Sequence, residues 1–284
     1  MLKDPTKDPI ADRAGKPYVT LHVDGYVATV SFNRPEKLNA WAWGPTNALC
    51  AVAEQLRFDR DVRAVVLRGE GRAFCAGEDL RPETETLEER HAGRSPAEIV
   101  RNSYERARLC FERFQVVSEL PQPVVVAIQG YCLGAGLELA LLGDIRIAGD
   151  DATFAFPQAT LGLPVVAGAD LRMALECGAA TTKLLALTGR RFDARTAERI
   201  GLVQDVVPVA ELDERALAVA NEIAANAPIA VQSIKRTINA FVRRGFYEAG
   251  LFEAMSSSVA FASDDVTEGM TAFGERRPPR FSGA

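Results

Sequence analysis

The sequence predicts an α/β protein with a strand-rich core and a helical C-terminal part. Up to about residue 168, short apolar runs of strand length are separated by turns and a few helices, whereas helical spacing of apolar residues dominates beyond it. Strands with short crossovers that precede a run of helices are typical of such a fold. We therefore divide the chain into a loose N-terminal arm (1–17), a core (18–206) and a C-terminal helical region (207–284).

Composition and charge narrow the class of protein. The chain has 284 residues, of which 48% are hydrophobic and 25% charged, and this is typical of a globular protein with a sizeable core. The formal net charge of -5 argues against a nucleic-acid-binding protein with a broad basic face. A phosphate-bearing ligand held by a few Lys and Arg side chains remains compatible with it.

Cysteines and apolar runs indicate a cytoplasmic protein. The chain has five cysteines and no C-x-x-C pair, so we expect neither a structural zinc nor a disulfide framework, and no metal site. The first residues lack the apolar segment of a signal peptide. No apolar run reaches the ~18 residues that suggest a membrane span.

Periodicity predicts the elements in order. An Asp-Gly turn at 24–25 predicts a hairpin with its second strand at 27–32, and helical spacing predicts a helix at about 45–57. The charged stretch 82–98 is interpreted as a mobile loop before a helix from Ile99 to about Leu120. The other predicted core elements are strands at 63–67, 124–128, 144–148, 153–156 and 201–207 and a helix at 135–142. The remaining predicted helices are 169–177, 181–188, 193–199, 211–225, 229–243 and 246–261.

Two glycine-rich turns, each after a buried strand, are the most informative features. The first glycine turn covers 68–80 (RGEGRAFCAGEDL) and the second covers 129–138 (QGYCLGAGLE). Small residues let a ligand approach the main chain, and the second turn opens a helix whose first N–H groups lack acceptors. Two such turns facing each other would form an oxyanion hole. Each turn alone is equally compatible with a plain strand-to-helix connection.

Other kinds of site fit the sequence less well. A dinucleotide-binding fingerprint would need glycine where Leu139 stands. The sequence contains neither the phosphate-loop pattern G-x-x-x-x-G-K-[ST] nor the nucleophile pattern G-x-S-x-G. Only two histidines are present, His22 on a predicted strand and His91 in the predicted loop. Few side chains could therefore serve as the base of a Ser–His–Asp triad.

The two turns, in this order and at this separation, resemble the paired signatures of the crotonase (enoyl-CoA hydratase/isomerase) superfamily. Further segments similar to that family are VSFNRP at 30–35, LNA at 38–40, DIRIA at 144–148 and EGMTAF at 268–273. The resemblance extends from about residue 18 to 282. It implies a crotonase-like (ClpP/crotonase) spiral of β-β-α turns with a helical C-terminal trimerisation region, assembled as a homotrimer or a dimer of trimers.

The resemblance also implies roles for individual residues. The backbone N–H groups of Glu78 and Ala135 would form an oxyanion hole for a thioester enolate. The family often has glycine at the second of these positions, but alanine keeps the backbone donor. The residues implied in coenzyme A binding are Lys37, Leu38, Ala40, Ala76, Asp79, Leu80, Gly134 and Phe273.

The resemblance implies one retained and one replaced catalytic glutamate. Glu138 matches the first and lies one helical turn after Ala135 on an apolar helix, where a buried carboxylate needs a partner or a function. The second glutamate is replaced by Gln158, and an amide cannot exchange a proton as a carboxyl group does. Asp170 is a weaker acidic candidate, which we interpret as the N-terminal cap of a helix.

These residues favour an acyl-CoA enzyme that stabilises a thioester enolate, with 2-enoyl-CoA hydration ranked first. An enoyl-CoA isomerase or another acyl-CoA lyase is the second alternative, and an acyl-CoA-binding homologue without turnover is the third. Gln158 counts against simple hydration, whereas Glu138 beside the second glycine turn supports catalysis. The coenzyme A thioester would be the substrate, so no cofactor is expected.

Overall fold

The computed structural model describes residues 4–80, 92–226, 228–236, 238–239, 258, 261–262 and 264–279. Its strands are β1 (Val19–Asp24), β2 (Val27–Phe32), β3 (Ala64–Gly69), β4 (Val124–Ile128), β5 (Tyr131–Leu133), β6 (Ile145–Gly149), β7 (Thr153–Ala155), β8 (Phe192–Asp193) and β9 (Asp205–Val207). Its helices are α1 (Trp43–Phe58), α2 (Pro96–Phe114), α3 (Ala135–Ala140), α4 (Ala169–Cys177), α5 (Ala179–Thr188), α6 (Ala194–Arg199), α7 (Leu212–Ala224) and α8 (Asp264–Glu275). No helix within these ranges is long and apolar enough to cross a membrane.

The strands form a large sheet and a small one. The large sheet has the order β1-β2-β3-β4-β6-β9, in which β1 and β2 are the predicted antiparallel hairpin and all other neighbours are parallel. The small sheet has the order β5-β7-β8. Because parallel strands are covered on both faces, β3 and β4 are nearly continuous apolar runs.

The strands β4, β5, β6 and β7 alternate between the two sheets. β4 leads through Gly130 into β5, and β6 leads into β7 in the same way. Gly130 has a φ of +54°, and a side chain there would clash with the carbonyl oxygen of Arg72, so only glycine fits this corner. The order β4, β5, α3 is therefore a β-β-α turn of the kind that the sequence predicts.

Hydrophobic cores lie on both faces of the large sheet. In β3, Val65 and Leu67 belong to the larger cluster, whereas Ala64 and Val66 belong to a second cluster that includes α7. The residues of α7 in that cluster recur every four positions, as expected for the buried stripe of a helix. They are Leu212, Ala216, Ala220 and Ala224.

The boundaries of α2 differ from the sequence prediction. The helix begins at Pro96, not Ile99, because Ser95 and Glu98 form a capping box and proline is favoured at the first helical position. It ends at Phe114, ahead of the predicted Leu120. The predicted loop is thus helical over 96–98, and its residues 82–91 lie outside the described part of the chain.

Some short elements and the C-terminal region also differ. β5 and β8, of three and two residues, and the helix α8 were not predicted. The extended piece predicted at 201–207 is regular only in β9. Of the helices predicted at 229–243 and 246–261, most residues lie outside the described ranges, although 228–236 is helical.

The N-terminal arm is hydrogen-bonded to α1. The side-chain amide of Asn47 donates to the carbonyl oxygens of Pro5 and Asp8, each at 3.0 Å. Beyond the 3₁₀ turn Pro5–Lys7, no regular helix or strand occurs in the described residues 4–17. These bonds attach the arm to the core, since Asn47 itself is buried.

Candidate active site

The first glycine turn is held by the segment before α1. Leu38 and Asn39 have φ values of 51° and 55°, a left-handed conformation that Asn tolerates because its side chain can bond locally. The buried Asn39 amide accepts from the Arg34 N–H at 2.9 Å. It also donates to the carbonyls of Glu70 and Ala73 at 2.9 and 2.8 Å. One side chain thus fixes the path of the turn.

Glu78 lies where this turn pairs with Trp41. The Trp41 N–H donates to the Gly77 carbonyl at 2.7 Å, and the Asp79 N–H donates to the Trp41 carbonyl at 2.7 Å. In parallel pairing these two bonds flank the bridged residue, so the N–H of Glu78 points away from Trp41.

The second glycine turn packs directly against the first. Cys75 pairs with Cys132 through backbone hydrogen bonds of a parallel β-bridge, which joins the two turns edge to edge, and both thiols are free. A side chain at Gly136 would clash with the Cys75 carbonyl oxygen, and a Cβ at Gly134 would lie 3.9 Å from Gly77 Cα. Glycine is required for this close approach at position 136.

Ala135 is the first residue of α3. The first residue of a helix has no intrahelical acceptor for its N–H, and no backbone carbonyl of the described residues accepts from that of Ala135. Ala135 and Glu78 line the same cavity. The structure thus brings both predicted backbone donors to one place, while their role as an oxyanion hole stays a prediction.

Glu138 is a buried carboxyl group beside this pair. It is 3% exposed and lines the cavity with Ala135. Gln158 Nε2 donates to Glu138 Oε1 at 2.9 Å, and the backbone N–H of Val166 also donates to the carboxyl group. Burial, followed by the charge of Glu78, raises the pKa of Glu138 from 4.5 to about 8. Glu138 is therefore mostly protonated at neutral pH.

Gln158 presents an unused acceptor next to Glu138. It is 8% exposed and begins the 3₁₀ turn Gln158–Leu161 after β7. Its Nε2 is bonded to Glu138, but its Oε1 has no hydrogen-bond partner among the described residues. A buried unpaired acceptor is costly, so this oxygen is suited to accept from a water or a substrate hydroxyl.

The prediction that Asp170 caps a helix is wrong. Gly168 occupies the cap position of α4 with a φ of +74°, and Asp170 lies in the first turn. Glycine adopts this left-handed conformation without strain, so the helix starts ahead of the aspartate. The Asp170 carboxylate instead helps to raise the pKa of Glu138. Within the described ranges, no cluster of His, Cys, Asp or Glu could hold a metal ion.

The cavity that joins these residues has a volume of about 130 Å³. Glu78, Ala135 and Glu138 line it together with Trp41, Trp43 and residues of α2. The sequence analysis missed the contribution of α2. The available signal was the helical spacing of Asn102, Arg106 and Cys110, which does not show which partner a helix face meets.

The residues implied in coenzyme A binding fall mainly in two adjacent segments, 37–40 and 76–80. The Ala76 N–H donates to the Leu38 carbonyl at 3.0 Å, which holds the segments together. Lys37 Nζ lies 4.0 Å from Asp79 Oδ2. Leu80 is the last described residue before the gap at 81–91. Nucleotide binding at these residues stays a prediction.

Arg34 organises the same edge and was not singled out from the sequence. Its guanidinium lies 3.0 Å from the Asp79 carboxylate, and both side chains are 12% exposed. It also donates to the Ala40 carbonyl at 2.6 Å. Asp79 therefore has a structural partner that fixes the first glycine turn.

Phe273 is not brought to the cavity by the described chain. It is 56% exposed on α8. α8 packs against the 3₁₀ turn that starts at Gln158, where a side chain at Gly269 would clash with the Leu161 carbonyl. Phe273 thus lies on the helix that contacts the 3₁₀ turn Gln158–Leu161. Its predicted contact with the nucleotide stays a prediction.

The arrangement of two sheets whose strands are joined by glycine corners and followed by helices is typical of the crotonase fold class. The profile of the enoyl-CoA hydratase/isomerase family matches residues 23–284. Since that match covers most of the chain, the protein belongs to this family.

Individual relatives agree with this placement. The short-chain-enoyl-CoA hydratase of Clostridium acetobutylicum is 36% identical over 262 residues, which cover 91% of this chain and 95% of the relative. The probable enoyl-CoA hydratase echA8 of Mycobacterium tuberculosis is 34% identical over 259 residues, with coverages of 91% and 95%. The solved enoyl-CoA hydratase/isomerase of Pseudoalteromonas atlantica matches with a TM-score of 0.80 and 30% identity, covering 93% of this chain and all of that one (100%). The predicted crotonase-like fold is confirmed.

Proposed function

We propose that the protein is a 2-enoyl-CoA hydratase in which Glu138 is the only acid–base carboxyl group that touches the reacting atoms. The observation that carries this proposal is the position of Glu138, buried in the same cavity as Ala135 and Glu78, with an amide as its side-chain partner. The names of the relatives support the reaction class. The coenzyme A thioester is the substrate, and no separate cofactor takes part in this scheme.

Proton balance shows how one carboxyl group serves both steps. Ionised Glu138 takes a proton from a water as the water oxygen bonds to Cβ, and the electron pair moves to the thioester oxygen. The same carboxyl group then gives that proton to Cα, which restores the carboxylate. In reverse, it removes the Cα proton and then protonates the departing hydroxide. Both directions begin from ionised Glu138.

The two glycine turns and Gln158 position the reactants. The N–H groups of Glu78 and Ala135 donate to the enolate oxygen, where negative charge develops. The unpaired Oε1 of Gln158 accepts from the attacking water, and its Nε2 keeps the Glu138 carboxyl group in place. A homotrimer or a dimer of trimers is part of this proposal, on the family resemblance alone.

An enoyl-CoA isomerase is the second candidate. One carboxyl group is enough to move a proton between two carbons, and burial raises the pKa of Glu138, which lines the cavity. Isomerisation forms no hydroxyacyl product. Product analysis after incubation with a 3-enoyl-CoA and with a 2-enoyl-CoA therefore separates the two reactions.

We expect the pH profile to report the single carboxyl group. For crotonyl-CoA hydration, kcat/KM of the wild type should rise with pH through an apparent pKa near 8, because Glu138 must be ionised to accept a proton.

Gln158→Glu should raise hydration about tenfold, since a second carboxyl group recovers part of the usual acid–base contribution. Its profile should become bell-shaped, because one carboxyl group of a close pair stays protonated.

The assay follows the loss of the enoyl-thioester absorbance. Gln55→Glu makes the same chemical change at an exposed position on α1 and is the matched control. Hydration that is independent of pH between about 6 and 9 would contradict the single-carboxyl mechanism. A wild type that releases no hydroxyacyl product from any short 2-enoyl-CoA would overturn the proposed function.

A further inference from the structure

The N-terminal arm, residues 4–17, has a defined path. Its first turn, Pro5–Lys7, is capped by the side chain of Asp4. A second turn is closed by the Asp12 carboxylate, which accepts from the Lys16 N–H at 2.9 Å. The arm therefore has local order of its own, although it contains no long helix or strand.

The arm lies against one face of the first turns of α1. The buried Asn47 amide donates to the carbonyl oxygens of Pro5 and Asp8, each at 3.0 Å. One turn earlier, a Cβ at Gly44 would lie 2.7 Å from the Pro9 carbonyl oxygen, so the arm approaches the helix backbone closely there. Gly44 and Asn47 are three positions apart and share one helix face.

The neighbouring face of the same turns lines the cavity of the candidate active site. Trp43 and Thr46 are also three positions apart, and both line the cavity. Each of them precedes an arm contact by one residue, which corresponds to a rotation of about 100° around the helix axis. The first turns of α1 thus have the arm on one face and the cavity on the next, so the arm contacts hold part of the cavity wall.

The start of α1 has no side-chain cap. Ala42 occupies the cap position, and its methyl group cannot accept a hydrogen bond from the first N–H groups of the helix. Ser, Thr, Asp or Asn usually supplies this bond. The two hydrogen bonds from Asn47 to the arm therefore hold a helix end that its own sequence does not cap.

The size of the cavity depends on where this wall stands. A protein cavity of about 150 Å³ binds benzene, so the cavity of about 130 Å³ holds about six non-hydrogen atoms. A longer acyl chain fits only if part of the wall moves. Trp43 is the largest side chain that α1 contributes to the wall.

We propose that the N-terminal arm restricts the acyl-chain length that the cavity accepts, by holding Trp43 and Thr46 in place through Asn47. The inference rests on the proposed function only in that the cavity receives the acyl group of a coenzyme A thioester. Asn47 is a positioning residue, because it contacts the arm. Release of the arm lets the wall recede for a long chain and leaves it less preorganised for a short one. Both changes lower the preference for short chains.

Binding of saturated acyl-CoAs measures this preference without turnover. Butyryl-CoA and octanoyl-CoA cannot be hydrated and differ only in chain length. Trp41 and Trp43, the two tryptophans of the chain, both line the cavity, so their fluorescence reports its occupation. Asn47→Leu keeps the size of the side chain but removes both donors. We expect it to lower the ratio of butyryl-CoA to octanoyl-CoA affinity about tenfold, the effect of about one methylene group in a hydrophobic pocket.

Gln122→Met is the matched control. The Gln122 amide is also buried and donates to the carbonyl oxygens of Leu56 and Asp59 at 2.8 and 3.0 Å, at the other end of α1. The variant therefore loses two equivalent hydrogen bonds to the helix without releasing the arm. We expect it to keep the wild-type ratio of affinities.

Gly44→Ala displaces the arm while Asn47 is unchanged. Alanine favours the helical backbone at this position, but its methyl group would lie 2.7 Å from the Pro9 carbonyl oxygen. We expect the ratio to fall as in Asn47→Leu, which keeps the inference testable if Asn47→Leu does not fold, as judged by circular dichroism. Trypsin should cleave both variants faster than the wild type after Arg13, an exposed residue of the arm.

The outcomes separate this inference from the proposed function. An unchanged ratio in a folded arm variant that trypsin cleaves faster overturns the inference, and so does an equal fall of the ratio in Gln122→Met. Acyl-CoAs that bind no more tightly than free coenzyme A overturn it as well. A lower ratio in both arm variants of a protein that hydrates no 2-enoyl-CoA overturns the proposed function alone. Hydration of crotonyl-CoA with an unchanged ratio in both variants overturns only the inference.

Discussion

Glu138→Gln should lower kcat for crotonyl-CoA hydration by about 10²–10⁴-fold, the usual contribution of a positioned acid–base group. The amide has the size of the carboxyl group but cannot exchange a proton at neutral pH. Its oxygen can still accept the 2.9 Å bond from Gln158 Nε2, so the fold should be retained. Because no second carboxyl group stands at position 158, nothing in this scheme replaces the lost proton transfer.

The matched control is Glu176→Gln. Burial also raises the pKa of Glu176, although its side chain is 33% exposed, but Glu176 pairs with Arg146 and does not line the cavity. We expect this control to change stability more than kcat/KM. If Glu138→Gln hydrates crotonyl-CoA as fast as the wild type, Glu138 has no part in the mechanism.

Ala135→Pro should cost about 10²–10³-fold in turnover, as the loss of an oxyanion donor does elsewhere. Proline lacks the N–H that we assign to the enolate oxygen. The first position of a helix is the one that accepts proline best, and Ala135 is the first residue of α3. The substitution therefore tests the donor with little expected damage to the helix.

Ala135→Gly is the control for this substitution, because it keeps the N–H while also changing the side chain. We expect it to retain activity within a few-fold of the wild type. Turnover of substrate should be compared with binding of a saturated acyl-CoA in both variants, since the donor acts mainly where charge develops. A folded Ala135→Pro with full activity would show that the oxyanion assignment is wrong.

Local patterns were enough to predict the frame of the site. The two glycine turns and the buried helix with Glu138 lie in short segments whose conformation follows from nearby residues, whereas the replacement at position 158 is recognised only through the family resemblance. Glycine is required at 130 and 136 because a side chain there would clash with the carbonyl oxygens of Arg72 and Cys75. These features could be identified without knowing the tertiary structure.

Long-range contacts were not accessible in the same way. The hydrogen bond from Gln158 to Glu138 joins residues 20 positions apart. Arg106 on α2 and Ala135 line the same cavity although β4 and β5 separate them along the chain. The charged composition of 82–98 predicts a loop, whereas Ser95 and Glu98 form a capping box and Pro96 begins a helix. β5 has only three residues, too few to show a period.

The burial of Glu138 has a consequence for the stability of the fold. In the unfolded chain its pKa is near 4.5, whereas the folded protein keeps the proton up to about pH 8. Between these values the folded state binds more protons, so the free energy of unfolding falls as pH rises. The contribution is fully present below pH 4.5 and lost above pH 8. Alkaline conditions that ionise the carboxyl group for catalysis therefore also weaken the fold, so heat resistance and activity should have opposite pH dependences.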